Sequence, residues 1–321
     1  MSDSVLEKTV PDELSGLRLD QALAQMFPEY SRSRLKAWIL AGSVTVDGQT
    51  RKPRDEIGGG EAVVVRPLET EETASSPEPI ELDVAYEDDA VVVINKPAGL
   101  VVHPGAGNTT GTLMNGLLHR FPELAALPRA GIVHRLDKDT TGLLLVGRTL
   151  TSHTALVRQL AERSVTRQYD AVCQGVLTGG GRIDAPIRRH PVDRLRMSVQ
   201  SDGKPATSHY RIVERFAAHT WVKVSLETGR THQIRVHFAW KQHPLIGDRV
   251  YGGRLALPAG ASEELIQTLR TFRRQALCAT TLAFDHPVDE RRVEVSTEPA
   301  ADFLALTEVL RRDAAAREVD D

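Results

Sequence analysis

Residues 131–149 read Gly-Ile-Val-His-Arg-Leu-Asp-Lys-Asp-Thr-Thr-Gly-Leu-Leu-Leu-Val-Gly-Arg-Thr and set one carboxylate, Asp137, between a cationic, hydroxyl-rich turn and an apolar run. A carboxylate so placed can act as a nucleophile or promote bond cleavage, with neighbouring cations steadying the charge that develops. The plainer alternative is a turn in which Asp137 or Asp139 caps backbone amides and Arg135 pairs with a carboxylate. No Walker loop, no GxGxxG after a strand, and no HExxH or paired CxxC occurs. Neither a cofactor nor a metal is therefore expected.

The apolar run 142–146 has the length and composition of a fully buried strand, which places the polar turn where that strand leaves the core. Turns held by rigid strands are where binding and catalytic side chains concentrate.

The block "HRLDKDTTGLLLV" resembles the signature of the RluA-type pseudouridine synthases, and with "INKPAGLVVHPG" before it and "RQYDAV", "KPATSHYRI", "LETGRTHQIRVHFA" and "HPLIGDRVYGG" after it the blocks stand in that family's order. The resemblance spans roughly residues 12–310. It implies an α+β fold with a large mixed or antiparallel sheet crossed by a central cleft. It also implies an isomerase that detaches uracil from ribose, turns it and rejoins it through carbon. The branch it points to acts on uridines of large-subunit (23S) ribosomal RNA, in a hairpin loop.

Carried over residue by residue, the resemblance makes Asp137 the catalytic carboxylate, as nucleophile or as promoter of glycosidic cleavage. Arg235 becomes its ionic partner, with Arg230 as the alternative, and Tyr169 sets a ring, and a candidate proton acceptor, against the target base. A uridine in folded RNA must leave its stack to reach an aspartate. Arg135 is the side chain expected to fill the gap, and His134 to shape the same turn. Lys96 and Pro97 are expected to border the cleft. Thr231 is read as the cap of a helix that carries Arg235.

Near the N-terminus, Leu19, Leu23 and Met26 recur at helical spacing, and Ser31 can cap a second helix with Leu35, Trp38 and Ile39 in one stripe. "SVTV" then leads into an Asp47-Gly48 hairpin turn. This unit resembles an S4 RNA-binding domain, which implies phosphate contacts from Arg32, Arg34, Lys36, Arg51 and Lys52. Arg188 and Arg189, in a stretch that also holds Arg194 and Arg196, read equally as a clamp on an RNA stem or as solvated surface.

The expected boundaries are a mobile tail over 1–11, the S4-like unit over 12–66, an acidic flexible linker over 67–82, the catalytic domain over 83–312 and a polar tail over 313–321. The net charge of −3 over 321 residues hides a strong asymmetry. Residues 67–89 hold no Lys or Arg against 9 Asp and Glu, whereas residues 90–321 hold 31 against 24. A basic catalytic domain suits an RNA partner. No apolar run is long enough to span a membrane and the N-terminus lacks a signal-peptide pattern, so a cytoplasmic protein is expected. Cys173 and Cys278 have no metal spacing and read as buried thiols.

The expected partner is large-subunit ribosomal RNA or a pre-ribosomal particle, and the expected state is a monomer. The competing reading is a catalytically idle, S4-containing ribosome-assembly factor. A glycoside hydrolase built on Asp137 and Asp139 is disfavoured, because two carboxylates in one tight turn need not face each other across a scissile bond.

Overall fold

The computed structural model describes residues 5–28, 30, 32–67, 76–105, 108–193 and 195–320, the side chains of 33, 34 and 318–320 excepted. The chain divides into two compact units, Met1–Ala74 and Ser75–Asp321.

The first unit runs β1 (Leu6–Thr9), α1 (Leu19–Met26), α2 (Arg32–Leu40), β2 (Val44–Val46) and β3 (Ala62–Val65). Leu19, Ala22, Leu23 and Met26 are buried on one face of α1 and meet Leu35, Trp38 and Ile39 of α2. Each such side chain contributes about 1.5–3 kcal/mol on leaving water. After β2 the chain reverses at Asp47 and Gly48, both left-handed (φ 49° and 76°), with Val46 and Gln49 exchanging backbone bonds of 2.8 and 3.0 Å. That is the turn Asp-Gly favours. The tail expected over 1–11 is ordered from residue 6: β1 pairs antiparallel with β3 and Val10 is buried. Its strand is held by backbone bonds at a sheet edge with mostly exposed side chains, so no periodicity announces it. The Ser31 cap lies outside the described residues.

The second unit begins with residues 76–82 laid against the helix Leu113–Arg120 rather than running free as linker. Ser76 O accepts from Asn115 Nδ2 at 2.8 Å, Leu82 is buried, and a Cβ on Gly116 would come within 3.1 Å of Ile80 and Leu82. Residues 68–75 of the expected linker lie outside the description.

The elements that follow are β4 (Val84–Glu87), β5 (Val91–Lys96), α3 (Leu113–Arg120), β6 (Thr141–Gly147), α4 (Leu150–Glu162), β7 (Thr166–Gln174), β8 (Gly181–Asp184), β9 (Ile187–Arg189), β10 (Met197–Val199), β11 (Thr207–Arg215), β12 (His219–Leu226), α5 (Gln233–Trp240), α6 (Glu263–Thr271), β13 (Leu277–Asp285), β14 (Arg292–Ser296) and α7 (Ala301–Asp320). Nine strands form one mixed sheet in the order β4-β5-β6-β13-β7-β12-β11-β8, with β14 also on β13, while β9 and β10 make a separate ribbon. Within this sheet β6 pairs parallel with β13. This is the α+β architecture anticipated above.

All seven residues of β6 are buried. Leu144 and Val146 face α3 and α5, whereas Leu143 and Leu145 face α4. Helices α6 and α7 cover the lower part of that second face through Leu265, Leu269, Phe303, Leu306 and Leu310. Cys173 and Cys278 are buried thiols, and burial pushes the Cys173 thiol up to about 12. The polar tail expected from 313 is helical to Asp320. Asp313 is buried, accepts from Ser262 N at 2.6 Å and pairs with Arg317 at 2.9 Å, so one inward carboxylate anchors an otherwise polar stretch.

Candidate active site

Asp137 stands in the turn that enters β6, and the turn is fastened from behind. Lys96, at the end of β5, is fully buried and donates to the carbonyls of Pro97 (2.7 Å), Leu100 (3.0 Å) and Lys138 (2.9 Å). It therefore does not border the cleft as expected. Its three protons are consumed by three loop carbonyls, which ties the Asp137 turn to the neighbouring strand. Burial pulls its pKa down to about 8, against the opposing pull of Asp139 and Asp137. His134 works in the same way: its Nε2 accepts from Leu145 N at 3.0 Å, and burial, helped by Arg167, drives its pKa down to about 3, so the ring is neutral.

The partner of Asp137 comes from α5. Arg235 donates from Nη1 to Asp137 Oδ2 at 2.9 Å, and from Nε and Nη2 to Asp248 at 2.7 and 2.9 Å. Burial works against the guanidinium charge, but the bonds to Asp248 and then Asp137 outweigh it and raise its pKa above the usual arginine value. Asp248 also accepts from Val250 N and Tyr251 N, so its carboxylate is fully engaged. Arg230 is not a partner of Asp137. It lines the cleft but its Nε donates to Pro205 O at 3.1 Å.

The first turn of α5 is capped differently from expectation. Thr231 is exposed, and His232, left-handed at φ 57°, occupies the cap position without a side-chain bond to the helix. Gln233 instead ties down the loop before the helix: its Oε1 accepts from Thr228 Oγ1 (2.8 Å) and Arg230 N (3.0 Å). The left-handed step brings His232 Nε2 to 3.8 Å from Asp137 Oδ1, while its Nδ1 meets Tyr251 Oη at 2.8 Å. Tyr251 Oη already accepts from Met197 N at 2.9 Å. The hydroxyl thus donates to His232 Nδ1, which leaves the imidazole proton on Nε2, toward Asp137.

A cleft of about 410 Å³ opens over these groups, lined by Asp137, Tyr169, Arg129, Arg135, Arg167 and His103 among others. Tyr169 comes from β7, packs in the main core and is only 7% exposed. Burial raises its hydroxyl pKa, so the cleft sees a neutral phenol and an aromatic face. Arg135 is exposed beside Asp137 at the cleft.

The residues anticipated as RNA contacts are placed unevenly. Arg188 is paired with Asp202 and Arg189 is exposed, both on β9. In the first unit Arg32 pairs with Asp20 at 2.7 Å and Arg51 with Glu61 at 2.6 Å. Lys36 and Lys52 are exposed, and the side chains of Arg34 and Arg194 lie outside the described residues. Sequence reasoning assigned no role to Asp248, Tyr251, His232 or Arg167. The one signal for Asp248 and Tyr251 was their place in "HPLIGDRVYGG".

Comparisons with known proteins bear on this arrangement. The profile described as RNA pseudouridylate synthase matches residues 90–240 and that of the S4 domain residues 17–63. The ribosomal large subunit pseudouridine synthase D of Pseudomonas aeruginosa is 55% identical over 98% of each chain. The proteins of the same name from Xanthomonas campestris and Escherichia coli K12 are 54% and 53% identical, over 98% and 96% of this chain and 95% of theirs. Among solved structures, human RNA pseudouridylate synthase domain containing 1 superposes with a TM-score of 0.54 at 26% identity, covering 69% of this chain and 84% of its own. Human RNA pseudouridylate synthase domain containing 4 shares the fold (TM-score 0.56, 23% identity, 71% of this chain and 93% of its own). With an ion-paired aspartate and a buried tyrosine lining one cationic cleft, and relatives more than half identical along almost its whole length, the chain belongs to the RNA pseudouridine synthase family.

Proposed function

We propose that this chain converts uridines of large-subunit ribosomal RNA into pseudouridine, with Asp137 as the catalytic carboxylate and no cofactor. The observation that carries the reading is the asymmetry of Asp137: Oδ2 is held by Arg235, and Oδ1 accepts no hydrogen bond among the described residues while its carboxylate lines the cleft. One oxygen anchors the group and the other is free to act on a flipped uridine. Tyr169 offers the ring against which uracil stacks while it is detached. Arg135 enters the space the nucleotide leaves, since a guanidinium can stack on bases and contact phosphate together.

The S4-like unit supplies the second RNA contact. Arg32, Arg34, Lys36, Arg51 and Lys52 are its candidate phosphate ligands, with Arg188 and Arg189 on the catalytic unit. A tether raises the effective concentration of one module once the other is bound. The substrate is a hairpin loop of the RNA or of a pre-ribosomal particle, met by a monomer in the cytoplasm. No helix among the described residues is long and apolar enough to cross a membrane.

The test is pseudouridine mapping of ribosomal RNA from cells lacking the protein, rescued with wild type or Asp137→Asn. Large-subunit sites that vanish and return with wild type alone support the reading. Unchanged maps overturn the substrate, and rescue by the variant overturns Asp137.

A further inference from the structure

Among the described residues of the catalytic unit three arginines are buried, and two of them are neutralised. Arg235 is shared by Asp248 and Asp137, and Arg274 holds Asp302 through two bonds of 2.6 Å. Arg167 is 8% exposed, yet among the described residues its side chain makes no ion pair and no hydrogen bond, and its Nε is sealed from solvent without a partner. An uncompensated buried cation is costly, and folds keep one only where something else supplies the charge.

The position of Arg167 shows where that charge would come from. It lies two residues before Tyr169 on β7 and lines the cleft with Asp137. A Cβ on Gly229 would stand 2.6 Å from Arg167 Nη1, so the guanidinium rests against a stretch of backbone kept bare. A second orphan faces the same cleft: His103 Nε2 is sealed from solvent and unbonded, and burial, with Arg129 and Arg135, pushes that ring down to about 4 and keeps it neutral. Arg129 and Arg135, by contrast, are exposed and suit phosphates, which stay hydrated.

Resting on the isomerase reading above, we propose that Arg167 is the site of the detached base, donating hydrogen bonds to the carbonyl oxygens of uracil as it leaves the ribose. When the N1–C1′ bond breaks, its electron pair passes to the ring and spreads over the carbonyl oxygens. A planar guanidinium matches that planar anion as it would a carboxylate. C5 then bonds to C1′, the C5 proton departs and N1 gains one, so the balance closes without an oxidant, reductant or co-reactant. The anion exists only between bond cleavage and rejoining, so Arg167 stabilises the reaction path more than the bound substrate.

The experiment compares wild type, Arg167→Met and Arg167→Lys in single-turnover reactions on a large-subunit RNA transcript carrying uridine or 5-fluorouridine, following loss of the N1–C1′ linkage rather than release of the C5 proton, which fluorine replaces, with RNA binding and thermal melting measured alongside. Fluorine makes the base a better leaving anion. The expected result is a loss of about 10²–10³-fold in rate for Arg167→Met on uridine RNA, a smaller loss on 5-fluorouridine RNA, partial recovery in Arg167→Lys and nearly unchanged RNA affinity. Removal of an unpaired buried charge should also raise the melting temperature. Weakened RNA binding at an unchanged rate overturns the proposal in favour of a phosphate contact. Equal losses on both bases, or a lowered melting temperature, overturn it in favour of a structural residue. A wild-type protein active on no transcript overturns the isomerase reading itself, a result separate from active wild type with active Arg167→Met.

Discussion

Asp248 grips Arg235 through two nearly parallel bonds, Nε to Oδ2 at 2.7 Å and Nη2 to Oδ1 at 2.9 Å, and so decides that Nη1 is the nitrogen left for Asp137. The proposed catalytic aspartate is thereby aimed by one that does not line the cleft.

Asp248→Asn should loosen this clamp. A buried pair broken on one side costs about 3–5 kcal/mol, so urea unfolding should register a large loss. Single-turnover rate should fall more than RNA affinity, because Asp137 loses its fixed direction. An Asp248→Asn protein with wild-type rate would show that Arg235 needs no second carboxylate.

Tyr251→Phe removes a hydroxyl that serves both Met197 N and His232 Nδ1. The expected loss of stability is about 1–3 kcal/mol, since a buried N–H is orphaned. Turnover should drop as well, because the imidazole 3.8 Å from Asp137 is no longer held in one tautomer. Stability and rate measured on one preparation separate the two effects.

Two glycines should behave in opposite ways. At Gly142 (φ 107°) a Cβ would sit 2.0 Å from the Ala279 carbonyl oxygen, so Gly142→Ala should destabilise by more than about 3 kcal/mol or fail to fold. At Gly229 the obstacle is the far end of the Arg167 side chain. Gly229→Ala should melt near wild type yet turn over slowly.

Acid should weaken the fold through His219, which is buried and pushed down to about 4 chiefly by that burial, with Asp313 opposing and Arg317 assisting. The unfolded chain binds a proton near pH 6.5 that the folded chain refuses. The stabilisation is therefore complete above pH 6.5 and is lost as pH falls toward 4, by roughly 3 kcal/mol at most. A His219→Gln protein should show a shallower fall over that window in urea titrations.

What could be read beforehand follows from what determines each feature. Strand β6 is apolar at successive positions, so its burial and the turn before it are written locally. The pairing of Asp137 with Arg235 spans 98 residues and was accessible only through resemblance. Asp248 escaped because nothing in its neighbourhood distinguishes a carboxylate that orients an arginine from one that caps a turn. The burial of Lys96 depends on three carbonyls gathered from two loops, which no periodicity encodes. Strand β1 and the end of α7 were missed because each is held by backbone pairing or a single inward side chain.

The attachment of the Asp137 turn to β6 also bears on how enzyme and RNA share the work of fitting together. A central strand with every residue buried belongs to the part of a domain whose amides exchange with solvent through global opening. The carboxylate is thus set in a turn that leads directly into a fully buried central strand. On the proposed mechanism the adaptation falls to the RNA, which bends and extrudes its nucleotide toward a site anchored in the core.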